Sequence, residues 1–422
     1  MLVGARASPL AKAQVAEVAE ALRVYHPEIV FSPIYLESTG DKDQNTSLRA
    51  LGKTDFFTRE IDQMLLQGQC RIAIHSAKDL PEPLPKGLTL VALTEGVDPS
   101  DALVMRSDST FSNLPKGARI ATSSERREEA VRSLRNDLTF IDLRGTIGER
   151  LKKLETGEAE GVVVAEAALI RLGLTHLNRI IIPNCTTQYQ GQLAVLAREG
   201  DREAFDLFET LDSRKKVLHT GLELPPTNLE ARYEHYPLIQ IVPRPSPILD
   251  ITHYTHILFG SKNGVRIALN AFPKLNRLVG IAVGKATAAE MAHFGFETIY
   301  TAELEQTEGM IALLDRLDLH NAHLLWPHAA TSRPLLREAL QVRKIPFEEW
   351  IAYDTLPLQL KPLKLGLFDE IHFTSPSGVQ NFAKIYPEIP NHLKLKGIGQ
   401  ITELSIAKYL SDSQNTRMIS TT

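Results

Sequence analysis

Five arginines and one aspartate have the types and spacing to handle acidic ligands. Arg126 and Arg127 follow Thr122-Ser-Ser124, straight after an apolar strand pattern. They fall in the first turn of the next helix, with Ser123 or Ser124 as its cap. A cation there opposes the helix dipole and costs about 0.3–1 kcal/mol. Free N–H groups at a helix start attract anions instead. Two arginines at such a place therefore suggest an anion held between guanidinium groups and amides. Arg144 follows another strand pattern, Arg150 lies one turn into the next helix, and Arg6 sits in the first strand–helix turn. If those strands are parallel, all five converge on one rim, and their planar forks suit carboxylates. The segment His75-Ser-Ala-Lys-Asp79-Leu-Pro runs from an apolar strand into Ser76, Lys78 and Asp79. A carboxylate among arginines stays ionised, can shuttle a proton and can stabilise a developing cation.

Other patterns carry less. Gly52-Lys53-Thr54 resembles the end of a phosphate loop, but Ser47 stands where the first glycine is needed, so no nucleotide is expected. His253/His256 and His320/His323 lack a third ligand, so no metal is expected either. The two cysteines, Cys70 and Cys185, cannot make a disulfide framework and fit a reducing compartment.

The elements that must position these residues alternate. Strand patterns at 71–75, 119–122, 138–143 and 161–164 are separated by helical patterns at 13–22, 125–134 and 147–154. That alternation predicts an α/β fold with mainly parallel sheets, whose ligands sit beyond the carboxyl ends of the strands. At 422 residues, the length suggests roughly three domains. A hydrophobic share of 43 % with 23 % charged residues excludes a disordered chain, and a net charge of −4 excludes a global basic field for nucleic acid. No apolar run reaches the ~20 residues of a membrane helix, and the N-terminus lacks a secretory core. A cytoplasmic monomer without membrane or nucleic-acid partners is expected. Pro-rich stretches near 242–247 and 356–362 read as crossovers. The segment Ile257-Leu-Phe-Gly-Ser-Lys-Asn-Gly-Val265 returns as Ile371-His-Phe-Thr-Ser-Pro-Ser-Gly-Val379, and Val283-Gly-Lys-Ala-Thr287 as Ile398-Gly-Gln-Ile-Thr402. Two matches at nearly one spacing, about 114–115 residues, predict two similar lobes in the second half.

Residues Gly4-Ala-Arg6-Ala-Ser8-Pro-Leu-Ala11, Ser38-Thr-Gly-Asp41, Ala73 to Pro81, Ala121 to Arg127 and Leu143 to Arg150 resemble, in order, the motifs of porphobilinogen deaminase (hydroxymethylbilane synthase). The resemblance covers about residues 1–212. It implies two periplasmic-binding-protein-like lobes, here 1–93 plus 188–212 and 94–187. It also implies head-to-tail joining of four porphobilinogen units on a dipyrromethane primer, with loss of ammonia. Asp79 becomes the catalytic carboxylate. Arg6, Arg126, Arg127, Arg144 and Arg150 hold acetate and propionate groups. Ser8, Ser76, Lys78, Thr122, Ser123, Ser124, Gly145 and Gln190 line the same cleft. The family's third domain and its primer-anchoring cysteine have no counterpart after residue 198. Cys185, near the expected lobe crossover, is a candidate substitute anchor, against the commoner role of a plain thiol. Lys53 stands one position off the family's loop lysine.

The second half, about 214–412, resembles uroporphyrinogen-III synthase through Phe373 to Val379, the two Gly-x-x-Thr repeats and Ala352-Tyr353-Asp-Thr355. That implies two α/β lobes (214–246 plus 360–422, and 249–351) joined by a two-stranded linker. They would cyclise hydroxymethylbilane without metal or cofactor. Tyr353 matches the tyrosine proposed to help the hydroxyl leave, with Ser261, Ser375, Ser377 and Thr402 binding substrate carboxylates. The family's Thr-Arg is Thr220-Gly221 here. The expected whole is a fused two-step tetrapyrrole enzyme. The alternatives are a chain catalytic only in its second half, and a non-catalytic anion-binding protein.

Overall fold

The computed structural model describes residues 1–43, 54–225 and 230–419. They form two compact units. The first comprises Met1–Lys215 and, of the described residues, 230–232; the second takes Lys216–Pro225 and the chain from Tyr233 onward. Lys53 and its Gly-Lys-Thr run lie outside the described residues, apart from Thr54. Among the described residues no helix is long and apolar enough to cross a membrane.

The first unit holds two five-stranded sheets. One is ordered Ser32–Leu36, Leu2–Arg6, Ile72–Ser76, Leu193–Arg198, Leu88–Leu93. Its central strands are continuous apolar runs because both faces are covered. Val15, Val18 and Leu22 of helix Pro9–Arg23 pack with Val3, Ile72, Ile74 and Val195 on one face. Ile61, Met64 and Leu65 of helix Arg59–Leu66 pack with Ala73, Leu90 and Leu196 on the other. The second sheet is ordered Thr139–Ile141, Arg119–Ala121, Gly161–Ala165, Asp101–Met105, Arg179–Ile182.

The mainly parallel expectation needs correcting. Leu193–Arg198 is antiparallel to both its neighbours, and so is Asp101–Met105. The reason is connectivity. The parallel strands end at the cleft, whereas these two begin at the segments that cross between the sheets, so they must run away from it.

The second unit also carries two sheets. One is ordered Ala231–His235, Lys215–His219, Glu370–Phe373, Lys394–Gly397. The other is ordered Ile239–Pro243, Phe347–Pro357, Leu324–Ala329, His256–Phe259, Val279–Ala282, Ile299–Thr301. Strand Ile239–Pro243 pairs antiparallel with the far end of Phe347–Pro357. Residues 239–246, expected with the first lobe, thus begin inside the second lobe's sheet. The internal repeat is a repeat of structure. Strands His256–Phe259 and Glu370–Phe373 each lead to a serine cap. Ser261 Oγ accepts the Gly264 N–H at 3.1 Å, and Ser375 Oγ accepts the Gly378 N–H at 3.2 Å. Gly221, standing where the family carries arginine, has no room for a side chain: a Cβ would lie 2.6 Å from both His219 Nε2 and Thr374 Cγ2.

Phe382 is fully buried, edge-on to Phe373 at 5.2 Å and to Tyr409 at 6.0 Å. Phe382→Ala should destabilise the second unit by about 3–5 kcal/mol. Its denaturant transition is expected to move to lower concentration while that of the first unit stays in place.

Candidate functional site

A cleft of about 280 Å³ opens in the first unit where strand ends and helix starts meet. Strand Leu2–Arg6 delivers Arg6. Ser8 caps the following helix, its Oγ accepting the Ala11 N–H at 3.2 Å. Strand Ile72–Ser76 delivers Ser76, whose Oγ accepts from Gln14 Nε2 at 2.9 Å, and a single helical turn then sets Lys78 and Asp79 on the wall. From the other sheet, Gly145 takes φ +90° and starts helix Ile147–Glu155, where a capping box between Thr146 and Glu149 fixes the first turn. Arg127 and Arg150 complete the lining with Arg6, Asp41 and Phe57.

The cations here differ in how they are balanced. Arg6 donates through Nε and Nη2 to Asp41, and its guanidinium lies 4.7 Å from the centre of the Phe57 ring. Arg127 donates to Asp101 from Nε at 3.0 Å and Nη2 at 2.5 Å. Arg150 donates to the Gly145 carbonyl at 2.8 Å, and Lys78 Nζ to Gln190 Oε1 at 3.2 Å; neither forms an ion pair with a carboxylate among the described residues. Burial, then the neighbouring Arg127, pulls the Lys78 amine down to about 8. Burial, then Arg127, Arg144 and Arg6, pulls Arg150 down to about 10. Two partly buried cations that form no ion pair among the described residues, with Asp79 nearby as a partial offset, suit the cleft to carboxylates.

Not every expected residue reaches it. The structure brings Arg6, Ser8, Ser76, Lys78, Asp79, Arg127, Gly145 and Arg150 together on the lining, with Gln190 behind Lys78. Arg126 does not line the cleft; it donates to Asp101 at 2.8 Å and to Cys185 Sγ at 3.0 Å. Arg144 donates to the carbonyls of Gly40 and Asp43, so it bridges from one sheet's loops to the other's. Thr122 is buried and accepts the Ser124 N–H. Ser123 is tied to the backbone of Leu143 by two hydrogen bonds, and Ser124 makes no side-chain cap. These three hold the chain before the helix, where a cap was expected. Cys185 is in the core, and burial with Asp101 pushes its thiol up to about 11, which disfavours the thiolate an anchor needs. In the sequence Asp41 stands out only within the Ser38-Thr-Gly-Asp41 motif, with no role assigned, and its capping box was the local signal; Phe57 and Asp101 were not singled out, and a lone aspartate at the start of a strand gives no signal.

In the second unit a cavity of about 270 Å³ is lined by Ser261, Trp326, His328, Arg333 and Tyr353, among others. The Tyr353 hydroxyl sits 2.7 Å from Ser261 Oγ, and burial raises its pKa. His328 stacks on Trp326 at 4.2 Å; its Nδ1–H donates to the Ala329 carbonyl, and burial lowers the ring's pKa. Ser375, Ser377 and Thr402 lie in the other lobe and do not line this cavity.

Comparison with known proteins identifies the two domains. Residues 1–206 match the family model of the porphobilinogen deaminase dipyrromethane cofactor binding domain, and residues 228–411 match that of uroporphyrinogen-III synthase HemD. The porphobilinogen deaminase of Roseiflexus sp. (strain RS-1) is 40 % identical over 217 residues, which are 51 % of this chain and 72 % of the relative. That of Streptococcus sanguinis is 37 % identical over 228 residues, 52 % and 74 % of the two chains. The chain belongs to the porphobilinogen deaminase family. It joins that family's domain to a uroporphyrinogen-III synthase domain, the combination of a bifunctional heme-biosynthesis enzyme. Among solved structures, uroporphyrinogen-III synthetase from Helicobacter pylori 26695 superposes with a TM-score of 0.37 at 20 % identity, covering 46 % of this chain and 88 % of that one.

The deaminase domain's donor set fits a dipyrromethane through its carboxylates, which Lys78, Arg127 and Arg150 can hold. Cys70 and Cys185 are both buried core thiols, and neither lines the cleft.

Lys78 is a cation below about pH 8 and neutral above it. Affinity for a carboxylated pyrrole should therefore fall as pH rises from 7 to 9. Calorimetry should show that slope in the parent and its loss in Lys78→Met, which should also bind about tenfold or more weakly at pH 7.

Proposed function

We propose that the first unit joins porphobilinogen into hydroxymethylbilane with release of ammonia, and that the second cyclises hydroxymethylbilane to uroporphyrinogen III, in the cytoplasm. The observation that carries this reading is the set of desolvated cations around Asp79 in one cleft.

In this reading Arg127, Arg150 and Lys78 bind substrate acetate and propionate groups, with Arg6 at the rim where Asp41 engages two of its nitrogens. Asp79 sits among them on a tight turn. Its carboxylate accepts a hydrogen bond from the substrate's ammonium group, stabilises the pyrrole cation that forms as the C–N bond breaks and ammonia leaves, and can take up the proton lost from the pyrrole carbon after the new C–C bond forms. A bound dipyrromethane would supply the pyrrole carbon to which substrate is joined, and the same cations would hold it. In the second unit, Tyr353 and Ser261 share a hydrogen bond at the cavity wall. The tyrosine O–H can donate to the departing hydroxyl while Ser261 keeps it oriented.

Asp79→Asn should lower ammonia release from porphobilinogen by 100-fold or more, while the melting curve stays in place, because Asp79 is only partly buried at the cleft wall and the amide keeps its shape. The assay combines ammonia release with chromatographic separation of the uroporphyrinogen isomers. Ammonia release absent in the parent under all conditions would refute the first activity. Hydroxymethylbilane supplied directly isolates the second: Tyr353→Phe should slow formation of isomer III at least tenfold and leave ammonia release unchanged.

A further inference from the structure

Asp101 is the first residue of strand Asp101–Met105 and has no exposed surface. Four side chains converge on it. Arg127 donates twice to Oδ1, Arg126 Nη2 lies 2.8 Å from Oδ2, Gln190 Nε2 donates to Oδ1 at 3.1 Å, and Cys185 Sγ lies 3.4 Å from Oδ2. Arg126 and Arg127 together hold its carboxyl below the usual carboxylate range against the opposing effect of burial. Gln190 extends the network, donating also to the carbonyls of Pro99 and Ser100 and accepting from Lys78 Nζ. Those carbonyls lie on the outgoing crossover between the two sheets, and Gln190 lies on the returning one. One buried carboxylate thus ties both crossovers to two cations of the cleft wall.

Its effect on the two adjacent arginines is unequal. Arg127 meets Asp101 through Nε and Nη2 and still lines the cleft. Arg126 has Nη2 on Asp101 and Nη1 on Cys185, and it does not line the cleft. We propose that Asp101 is a positioning residue that aims Arg127 into the cleft and holds Arg126 out of it as a counterion, and that Gln190 passes the same constraint to Lys78. This rests on the reading of the cleft as a porphobilinogen site. The two consecutive arginines, equivalent in the sequence, are thereby assigned different work: Arg127 grips a ligand carboxylate, and Arg126 stays on Asp101 and Cys185 as part of the buried network.

Porphobilinogen binding to the full chain, measured by calorimetry beside a melting curve, separates these roles. Arg127→Gln should weaken binding at least tenfold. Arg126→Gln should weaken it less than threefold while lowering the melting temperature. Asp101→Asn keeps the shape and removes the charge, and should weaken binding about tenfold in protein that is still folded. A role confined to stability would move the melting temperature of Asp101→Asn and leave its affinity within twofold of the parent; that result overturns the proposal. So does an Arg126→Gln loss equal to that of Arg127→Gln, which decides the matter should Asp101→Asn not fold. A parent chain that fails to bind porphobilinogen overturns the reading of the cleft and this proposal together, whereas binding by the parent with no loss in the variants overturns this proposal alone.

Discussion

The first unit depends on cations held in a poorly solvated cleft without full compensation. Removing a charge from water is costly unless a partner replaces the solvent. Lys78 and Arg150 receive a glutamine oxygen and a backbone carbonyl, and no carboxylate. Their depressed pKa values measure that shortfall. A ligand carboxylate entering the cleft would relieve it, and the same interaction would orient the ligand. Asp79 stands in this field, so a pyrrole cation forming beside it meets a fixed negative charge placed before the reaction starts. The ligand's own carboxylates screen the arginines from the developing cation.

The fold meets this demand through strand direction. Parallel strands deliver Arg6 and Ser76 at carboxyl ends, and the helices that follow open with capped amino ends at Ser8 and Thr146. The two antiparallel strands start where the others finish, which brings Asp101 and Gln190 to the same level of the molecule. A neutral-pH cleft with this much positive charge needs such an internal carboxylate: without Asp101, Arg126 and Arg127 would repel each other and Lys78 in a medium of low dielectric. The buried ion pair therefore serves placement more than stability, since its desolvation consumes much of its attraction.

The regular parts of this arrangement were legible in the sequence. Helix Glu125–Leu134 has the span its periodicity gave, and helix Ile147–Glu155 differs by one residue. The repeat near residues 257 and 371 marked a strand, a serine cap and a helix, because each is encoded within nine residues. What stayed hidden depends on contacts across long separations. Strands Asp101–Met105 and Leu193–Arg198 are apolar runs whose direction no local pattern encodes. Asp101 reaches Gln190 across 89 positions, and a single polar residue at the start of an apolar strand has no periodicity. Arg126 and Arg127 are neighbours in the chain, but successive residues on a helix point about 100° apart. That rotation turns one to the cleft and the other to Cys185, so the pair could be found from the sequence but not told apart.

The charge of the whole chain adds a constraint on both halves. A net charge of −4 gives polyanionic pyrroles no general attraction, so recognition rests on short-range groups. The first unit's cleft is lined by guanidinium and ammonium groups. The cavity of the second is lined by hydroxyls and an imidazole of lowered pKa, with Arg333 paired to Glu308. A product that binds its first site through several charge-assisted bonds leaves slowly, whereas a site of hydroxyls and amides forms weaker individual bonds. Covalent linkage of the two units favours capture at the weaker site, since the second binding event draws on a local rather than a bulk concentration. The fusion thus suits a second site that holds a reactive linear tetrapyrrole loosely enough to let it change shape during ring closure.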